Sequence, residues 1–138
     1  MAQRKTIAKQ GTSTKIFYLL SSQVQWRCYK MELSFEDFQR LDLRIGKVIE
    51  ANQIPGSRNL IRILVDFGAE KRQAVAGLMQ WYKPDELAGK KCAFILNLPK
   101  RKLMGVESQC MILAAEDDKG SVVFLLPEKD IAEGSKIR

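Results

Sequence analysis

The stretch LIRILVDFGAEKRQAVA, residues 60–76, decides the fold because it predicts a β-hairpin. Residues 60–67 are rich in β-branched and other apolar side chains, which favour a strand. Residues 68–70 begin with a glycine and predict a tight turn, and residues 71–76 predict a second strand. Two strands joined by a hairpin turn are therefore expected in this part of the chain.

The sequence upstream of this hairpin predicts a short helix followed by another strand. Ser34 and Asp37 resemble a capping box, which predicts a helix over 34–40. Residues 41–51, LDLRIGKVIEA, alternate apolar and polar side chains as a half-buried strand does. Gly46 interrupts that strand, and an internal glycine indicates a bulge or a sharp bend of the kind that curls a barrel strand.

Further short strands are predicted downstream, separated by turns. Strands are expected over 90–98 and 108–116, an apolar run over 122–126, a helical or irregular segment over 78–87, and a turn of helix with a last extended segment over 127–138. Many short strands with glycine-marked turns favour a barrel or sandwich over a βαβ fold. The predicted fold class is therefore mainly all-β.

The composition excludes several classes of function. The 138 residues are enough for one domain with a core, and no apolar run approaches the roughly 18–20 residues that cross a membrane. The three cysteines form no C-x-x-C pair, which favours reduced thiols and a cytoplasmic location. The chain has no histidine, so a Ser-His or Cys-His nucleophile is excluded. We expect no catalytic residues, no metal and no cofactor.

The positive charge is concentrated at the start of the chain. The formal net charge is +7, but residues 1–30 carry six basic and no acidic side chains, which leaves 17 basic against 16 acidic residues in 31–138. We interpret 1–30 as a basic N-terminal extension and 31–138 as the domain. The extension is open to three interpretations, namely a disordered tail, a translation-start artefact before Met31, or an organellar presequence.

The strongest candidate binding site lies in NLPKRKLMGVESQCM, residues 97–111. Three consecutive basic residues are predicted on a connection between strands, where they can reach a phosphate backbone. The next strand starts with hydrogen-bonding side chains and a methionine suited to an unstacked base. The candidate ligands are Lys100, Arg101, Lys102, Ser108, Gln109 and Met111. The alternatives are a solvated loop for the basic triplet and core filling for the methionine.

A second basic group is spread over the first three predicted strands and the turn that joins the first two. It comprises Arg44, Lys47, Arg58, Arg62, Lys71 and Arg72. Because side chains alternate between the faces of a strand, these residues need not share one surface. Trp81 and Tyr82 offer stacking surfaces, but their apolar neighbours favour packing of this segment onto the barrel.

The sequence resembles a known family through four strings. They are DLRIGKVIEA (42–51), RQAVAGL (72–78), WYKPDELAGKK (81–91) and NLPKRKLMGVESQCMILAA (97–115). Together they resemble the tRNA-binding domain of free-standing tRNA-binding proteins and of methionyl-tRNA synthetase C-terminal extensions. The same domain occurs in the endothelial monocyte-activating polypeptide and in a bacterial export chaperone. The resemblance covers nearly all of 31–138.

The resemblance implies a five-stranded OB-fold barrel with short helices and a C-terminal extension, usually paired as a homodimer. It implies recognition of tRNA by shape and backbone, in trans with a methionyl-tRNA synthetase catalytic subunit, and no catalysis by the domain itself. Carried over by position, Asn97, Lys102, Ser108 and Met111 occupy the family's tRNA-contact motif, and Lys100 and Arg101 lie beside them. Arg44, Lys47 and Arg58 complete the predicted RNA-binding set.

The chain departs from the family pattern at three places. Cys110 replaces a glycine, so its side chain is expected to narrow the groove or shift the strand. Met104 stands where the family often has arginine. In the loop after the first strand, the family has Asp-Lys where this chain has Arg58-Asn59, so the basic side chain stands one position earlier.

The alternative function on the same fold is a chaperone for protein export or for unfolded segments in general, which would use an apolar groove.

Overall fold

The structure is a computed structural model that describes residues 31–138, so the predictions for residues 1–30 lie outside the described residues. The helices are α1, Phe35–Gln39, and α2, Pro84–Leu87. The first four strands are β1, Leu43–Gln53; β2, Leu60–Asp66; β3, Lys71–Gly77; and β4, Lys91–Ile95. The others are β5, Arg101–Leu103; β6, Val106–Ser108; β7, Met111–Ile112; β8, Ala114–Glu116; and β9, Val122–Phe124.

Five antiparallel strands form one sheet in the order β3-β2-β1-β4-β7. The predicted hairpin is confirmed, since β2 and β3 pair from Leu60 opposite Gly77 to Asp66 opposite Lys71. Two small hairpins, β5-β6 and β8-β9, lie outside this sheet. The five-stranded sheet fits a barrel-like OB fold, although its ladder of backbone hydrogen bonds is not closed. The predicted mainly all-β fold is confirmed.

The bulge in β1 lies beyond the glycine that suggested it. The register with β2 shifts between Val48 and Glu50, whereas Gly46 sits in regular pairing with β4. A Cβ atom on Gly46 would come within 2.5 Å of the side chains of Val65 and Phe67. The glycine is therefore required by core packing, and the bulge lies at residues 48–50 instead of at Gly46.

The core is built from alternating side chains of the sheet. Ile61, Ile63 and Val65 on β2 are fully buried, as the period of two along a strand requires. Phe67 packs edge-on against the fully buried Phe94 of β4, with ring centroids 5.4 Å apart. Burial of each such side chain contributes about 1.5–3 kcal/mol.

The segment around Trp81 and Tyr82 packs onto the barrel, as predicted. Both side chains are partly buried against the core cluster. Trp81 Nε1 donates to the carbonyl oxygen of Gly120 at 2.9 Å, and the ring of Tyr82 stacks on Phe124 at a centroid distance of 4.3 Å. These contacts fasten the β8-β9 hairpin to the barrel.

Two predictions for the second half of the domain are wrong. The single strand expected over 108–116 is divided among β6, β7 and β8, because residues 108–110 turn aside to bond with β3. The turn of helix expected in 127–138 is absent from the described chain. There Lys91 Nζ donates to Asp130 Oδ1 at 2.8 Å and to the carbonyl oxygen of Ile131, which holds the chain in an irregular conformation.

The last extended segment is confirmed and continues the sheet. Gly134 N donates to the carbonyl oxygen of Ile45 at 2.7 Å, and Ile137 N donates to that of Leu43 at 2.8 Å. The segment thereby occupies the edge of β1 beyond the end of β2. Gly134 has φ +85°, and a Cβ atom there would overlap the carbonyl oxygen of Phe67.

We predict that Gly134→Ala destabilises the domain more than Gly89→Ala does. Both glycines have a positive φ, which costs an alanine about 1–2 kcal/mol, but a Cβ on Gly89 would meet nothing within 4 Å. The overlap at Gly134 adds about 1–3 kcal/mol. Urea unfolding of both variants measures the difference, and equal losses would show that the close approach to Phe67 has no energetic weight.

Candidate nucleic-acid interface

The open edge of β3 is joined to residues 107–110 through one backbone hydrogen bond and several side-chain hydrogen bonds. Gln109 N donates to the carbonyl oxygen of Gln73 at 2.8 Å, and Gln73 N donates to Gln109 Oε1 at 3.0 Å. Gln73 Nε2 also donates to the carbonyl oxygen of Glu107 at 2.8 Å. These bonds complete the barrel where the ladder is missing, and we call this contact the β3 seam (Gln73, Val75 and 107–110).

Ser108 is part of the seam. Val75 N donates to Ser108 Oγ at 3.0 Å, and that hydroxyl donates its own proton to the carbonyl oxygen of Cys110 at 3.1 Å. A hydroxyl has one proton and two lone pairs, so only one lone pair remains available. The predicted RNA ligand can therefore accept a hydrogen bond, from a ribose hydroxyl or a base N–H, while it keeps its structural bonds.

Two of the three basic residues, Arg101 and Lys102, lie on a hairpin where a loop was predicted, and Lys100 directly precedes it. β5 and β6 pair Arg101 with Ser108 and Lys102 with Glu107. Met104 and Gly105 form the turn with φ 52° and 79°, and a two-residue turn with both φ positive is the type I′ geometry that suits a hairpin. The sequence indicated this hairpin turn only weakly, because methionine is uncommon at a positive φ.

The two cations on the hairpin, Arg101 and Lys102, lie on opposite faces of it. Neighbouring residues on a strand point to opposite faces, so Arg101 lies on one side and Lys102 on the other. The side of Arg101 borders a groove of about 250 Å³. The groove is lined by Val75, Leu98, Pro99, Arg101, Leu103, Ser108, Cys110 and Met111. It is thus an apolar groove with one cation on its wall, and Lys100 and Lys102 are not among the residues that line it.

Met111 and Cys110 occupy different depths of this groove. Met111 is 46% exposed, so it offers a surface for an apolar or aromatic ligand. Cys110 is buried in the core cluster, and its burial raises the pKa of the thiol to about 12, so it stays protonated at neutral pH. Its side chain lines the wall of the groove, where a glycine would have none.

Asn97 anchors the segment that leads into the hairpin. Its Oδ1 accepts a hydrogen bond from Asp42 N at 2.8 Å, and its Nδ2 donates to the carbonyl oxygen of Arg40 at 2.6 Å. Both ends of the amide are therefore engaged with the chain before β1. The groove is not lined by Asn97.

The remaining predicted ligands lie outside the groove. Arg44 Nε bonds Asp42 Oδ1 at 2.7 Å, and this hydrogen bond is the main reason that the pKa of Asp42 lies below its usual range. Lys47 lines a second cleft with Lys90, Lys91 and Lys129, where the carboxylate of Asp130 also lies. The cleft is therefore of mixed charge.

The turn that contains Arg58 lies near the tip of the β5-β6 hairpin. Arg58 is exposed in the turn that follows β1. The Cε atom of Met104 lies 3.6 Å from the position that a Cβ on Gly56 would take, so the hairpin tip approaches this turn. The structure thus brings the turn of Arg58 towards the basic hairpin, while Arg44 and Lys47 remain on β1, with β4 between β1 and β7 in the sheet order.

Among residues 31–138, no group of three or more cysteines and carboxylates could hold a metal ion. No helix in the same range is long and apolar enough to cross a membrane.

The chain matches the model of one protein family, described as "Putative tRNA binding domain", over residues 43–136. It is 51% identical over 110 residues to the methionine–tRNA ligase of Methanocaldococcus jannaschii, and 48% identical over 108 residues to that of Archaeoglobus fulgidus. These alignments cover 79% and 78% of this chain but only 17% and 16% of the two ligases. The chain therefore corresponds to a small part of the curated relatives it matches.

Two solved structures share the fold over their whole length. A MetRS-related protein from Pyrococcus horikoshii has a TM-score of 0.74 at 36% identity, and the chaperone CsaA from Bacillus anthracis has 0.71 at 34% identity. Each comparison covers 78% of this chain and 100% of the other.

We predict that Ser108→Ala destabilises the fold. The variant leaves the amide of Val75 without its acceptor in a partly buried seam, which costs about 1–3 kcal/mol. Urea unfolding measures the loss, with Ser121→Ala, at an exposed turn position, as the control that should change little. A Ser108→Ala domain as stable as the parent would show that the hydroxyl does not hold the seam.

Proposed function

Because the chain belongs to the tRNA-binding domain family, we propose that it binds tRNA through the β5-β6 hairpin and the adjoining groove. The domain acts as a binding module and carries no catalytic site of its own. The observation that carries this proposal is the position of one cation, Arg101, on the wall of an apolar groove, with Lys102 on the same hairpin and Lys100 directly before it.

The groove and the hairpin suit different parts of an RNA. An apolar groove with an exposed methionine is suited to an unstacked base, which is how proteins commonly bind single-stranded RNA. The three cations are suited to the phosphates on either side of that base. Because the whole of residues 31–138 has a net charge near +1, this local cluster has to supply the attraction. Binding is therefore expected to weaken steeply with salt.

We also propose that the domain works in trans with a methionyl-tRNA synthetase catalytic subunit, as a homodimer in the cytoplasm. The support is that the matching ligases of archaea carry a similar domain within their own chain. A dimer with two tRNA sites would raise the local concentration of tRNA near the catalytic subunit. Pull-down from cell extract followed by identification of RNA and protein tests this, and recovery of tRNA without any synthetase would contradict the partnership.

We predict that Lys100, Arg101 and Lys102 changed together to alanine weaken tRNA binding about tenfold or more and flatten its salt dependence. The slope of log affinity against log salt should fall by about one for each cation that contacts phosphate. Filter binding or fluorescence anisotropy over a series of salt concentrations measures both quantities.

A matched control removes the same number of charges elsewhere. Lys83, Lys119 and Lys129 lie outside the hairpin and the groove, so their joint change to alanine should reduce affinity much less. Equal losses in the two triple variants would mean that net charge, rather than the hairpin, governs binding.

A second candidate function is peptide binding by a chaperone, favoured by the likeness to CsaA and by the apolar groove. The basic hairpin suits phosphate better than peptide, so we rank it second. A competition experiment decides between the two functions. If the groove and hairpin serve to bind tRNA, an unfolded, uncharged peptide should not displace tRNA from the domain. Displacement at comparable concentrations would favour the chaperone.

A further inference from the structure

One arginine of β3 holds both ends of the segment that carries the proposed tRNA ligands. Arg72 Nη1 donates to the carbonyl oxygen of Leu96 at 2.8 Å and to that of Gln109 at 3.3 Å. Leu96 and Gln109 flank residues 97–108, which contain Asn97, the basic triplet and Ser108. A single guanidinium nitrogen thus joins the two points where this segment leaves the barrel and returns to it.

Glu70 fixes the direction of this guanidinium. Its Oε1 and Oε2 accept hydrogen bonds from Arg72 Nε at 3.1 Å and from Nη2 at 3.2 Å. A carboxylate that engages the guanidinium through two parallel bonds sets its orientation as well as its position. Nη1 is thereby aimed at the two carbonyl groups, an arrangement that the single ammonium of a lysine cannot reproduce.

The donor inventory argues against a direct role of Arg72 on phosphate. A guanidinium has five N–H donors, and four hydrogen bonds in the structure already use four of them. The side chain is only 25% exposed. A phosphate bound here would have to displace contacts that hold the hairpin.

We propose that Arg72 is a positioning residue for tRNA binding, which clamps the ends of residues 97–108 and so fixes the direction of the cations on the β5-β6 hairpin. Glu70 acts through Arg72 in the same role. This inference rests on the proposed function for its effect on binding, whereas the clamp itself can be measured without RNA.

The first test is Arg72→Lys, which keeps the positive charge but replaces the planar guanidinium and its five N–H donors with a single ammonium group. Without RNA, the amides paired within the β5-β6 hairpin should exchange hydrogen about tenfold faster, while those between β1 and β2 stay unchanged. The dissociation constant for tRNA should rise about tenfold at an unchanged salt slope, because all charges remain. Full binding by the lysine variant would mean that only the charge matters, and would overturn the proposal.

The second test is Glu70→Ala, which also serves if Arg72→Lys fails to fold. Removal of a carboxylate makes the domain more positive, so simple electrostatics predicts tighter tRNA binding. The clamp predicts weaker binding, because Arg72 loses its orienting partner. Glu116→Ala removes an exposed carboxylate on β8 and measures the charge effect alone. Binding by Glu70→Ala that is as tight as that of Glu116→Ala, or tighter, would overturn the proposal.

Failure of the proposed tRNA binding and failure of the Arg72 clamp give different results. If the parent domain does not bind tRNA, the proposed function is wrong, and the exchange measurement alone then tests whether Arg72 clamps the hairpin. If exchange in the hairpin rises but tRNA affinity is unchanged, Arg72 has a structural role only. If exchange is unchanged, the clamp is wrong whatever the affinity.

Discussion

The closure of the barrel at the β3 seam is the constraint on which both fold and site depend. The five-stranded ladder ends with the edge of β3 open, and a buried strand edge without hydrogen bonds is costly. Side chains of Gln73, Ser108 and Gln109 supply the missing bonds, together with the backbone bond from Gln109 N to the carbonyl oxygen of Gln73. Because Ser108 is the last residue of β6 and Gln109 follows it, the closure that stabilises the barrel also determines where the hairpin stands.

The site separates residues that hold the structure from residues that remain free for a ligand. Val75 and Cys110 belong to the core, and Ser108 to the seam, although all three line the groove. Lys100 and Lys102 are exposed and belong to neither core nor groove lining. The cations can therefore vary with little effect on folding, whereas the groove can change only together with the core behind it.

Local patterns predicted much of the fold and less of the site. The alternation of apolar and polar side chains was sufficient to predict β1 and β2, because burial of one face of a strand imposes a period of two. The β5-β6 hairpin was predicted as a loop, because its strands are three residues long and its turn uses Met104 at a positive φ. Residues 108–116 were predicted as one strand, because nothing in their own composition indicates that β3 draws 108–110 out of the ladder.

By itself, the sequence determined the all-β class, the order of the main strands, the position of the basic triplet and the resemblance to a tRNA-binding family. These depend on residue types and spacings that are close together along the chain. Only the tertiary structure decided that Arg101 borders the groove while Lys102 points away, and that Ser108 Oγ accepts a hydrogen bond from Val75 N in the seam. It also decided that Arg72 reaches both Leu96 and Gln109. The physical reason is that these hydrogen bonds join residues 24 to 37 positions apart, and a local pattern carries no record of such partners.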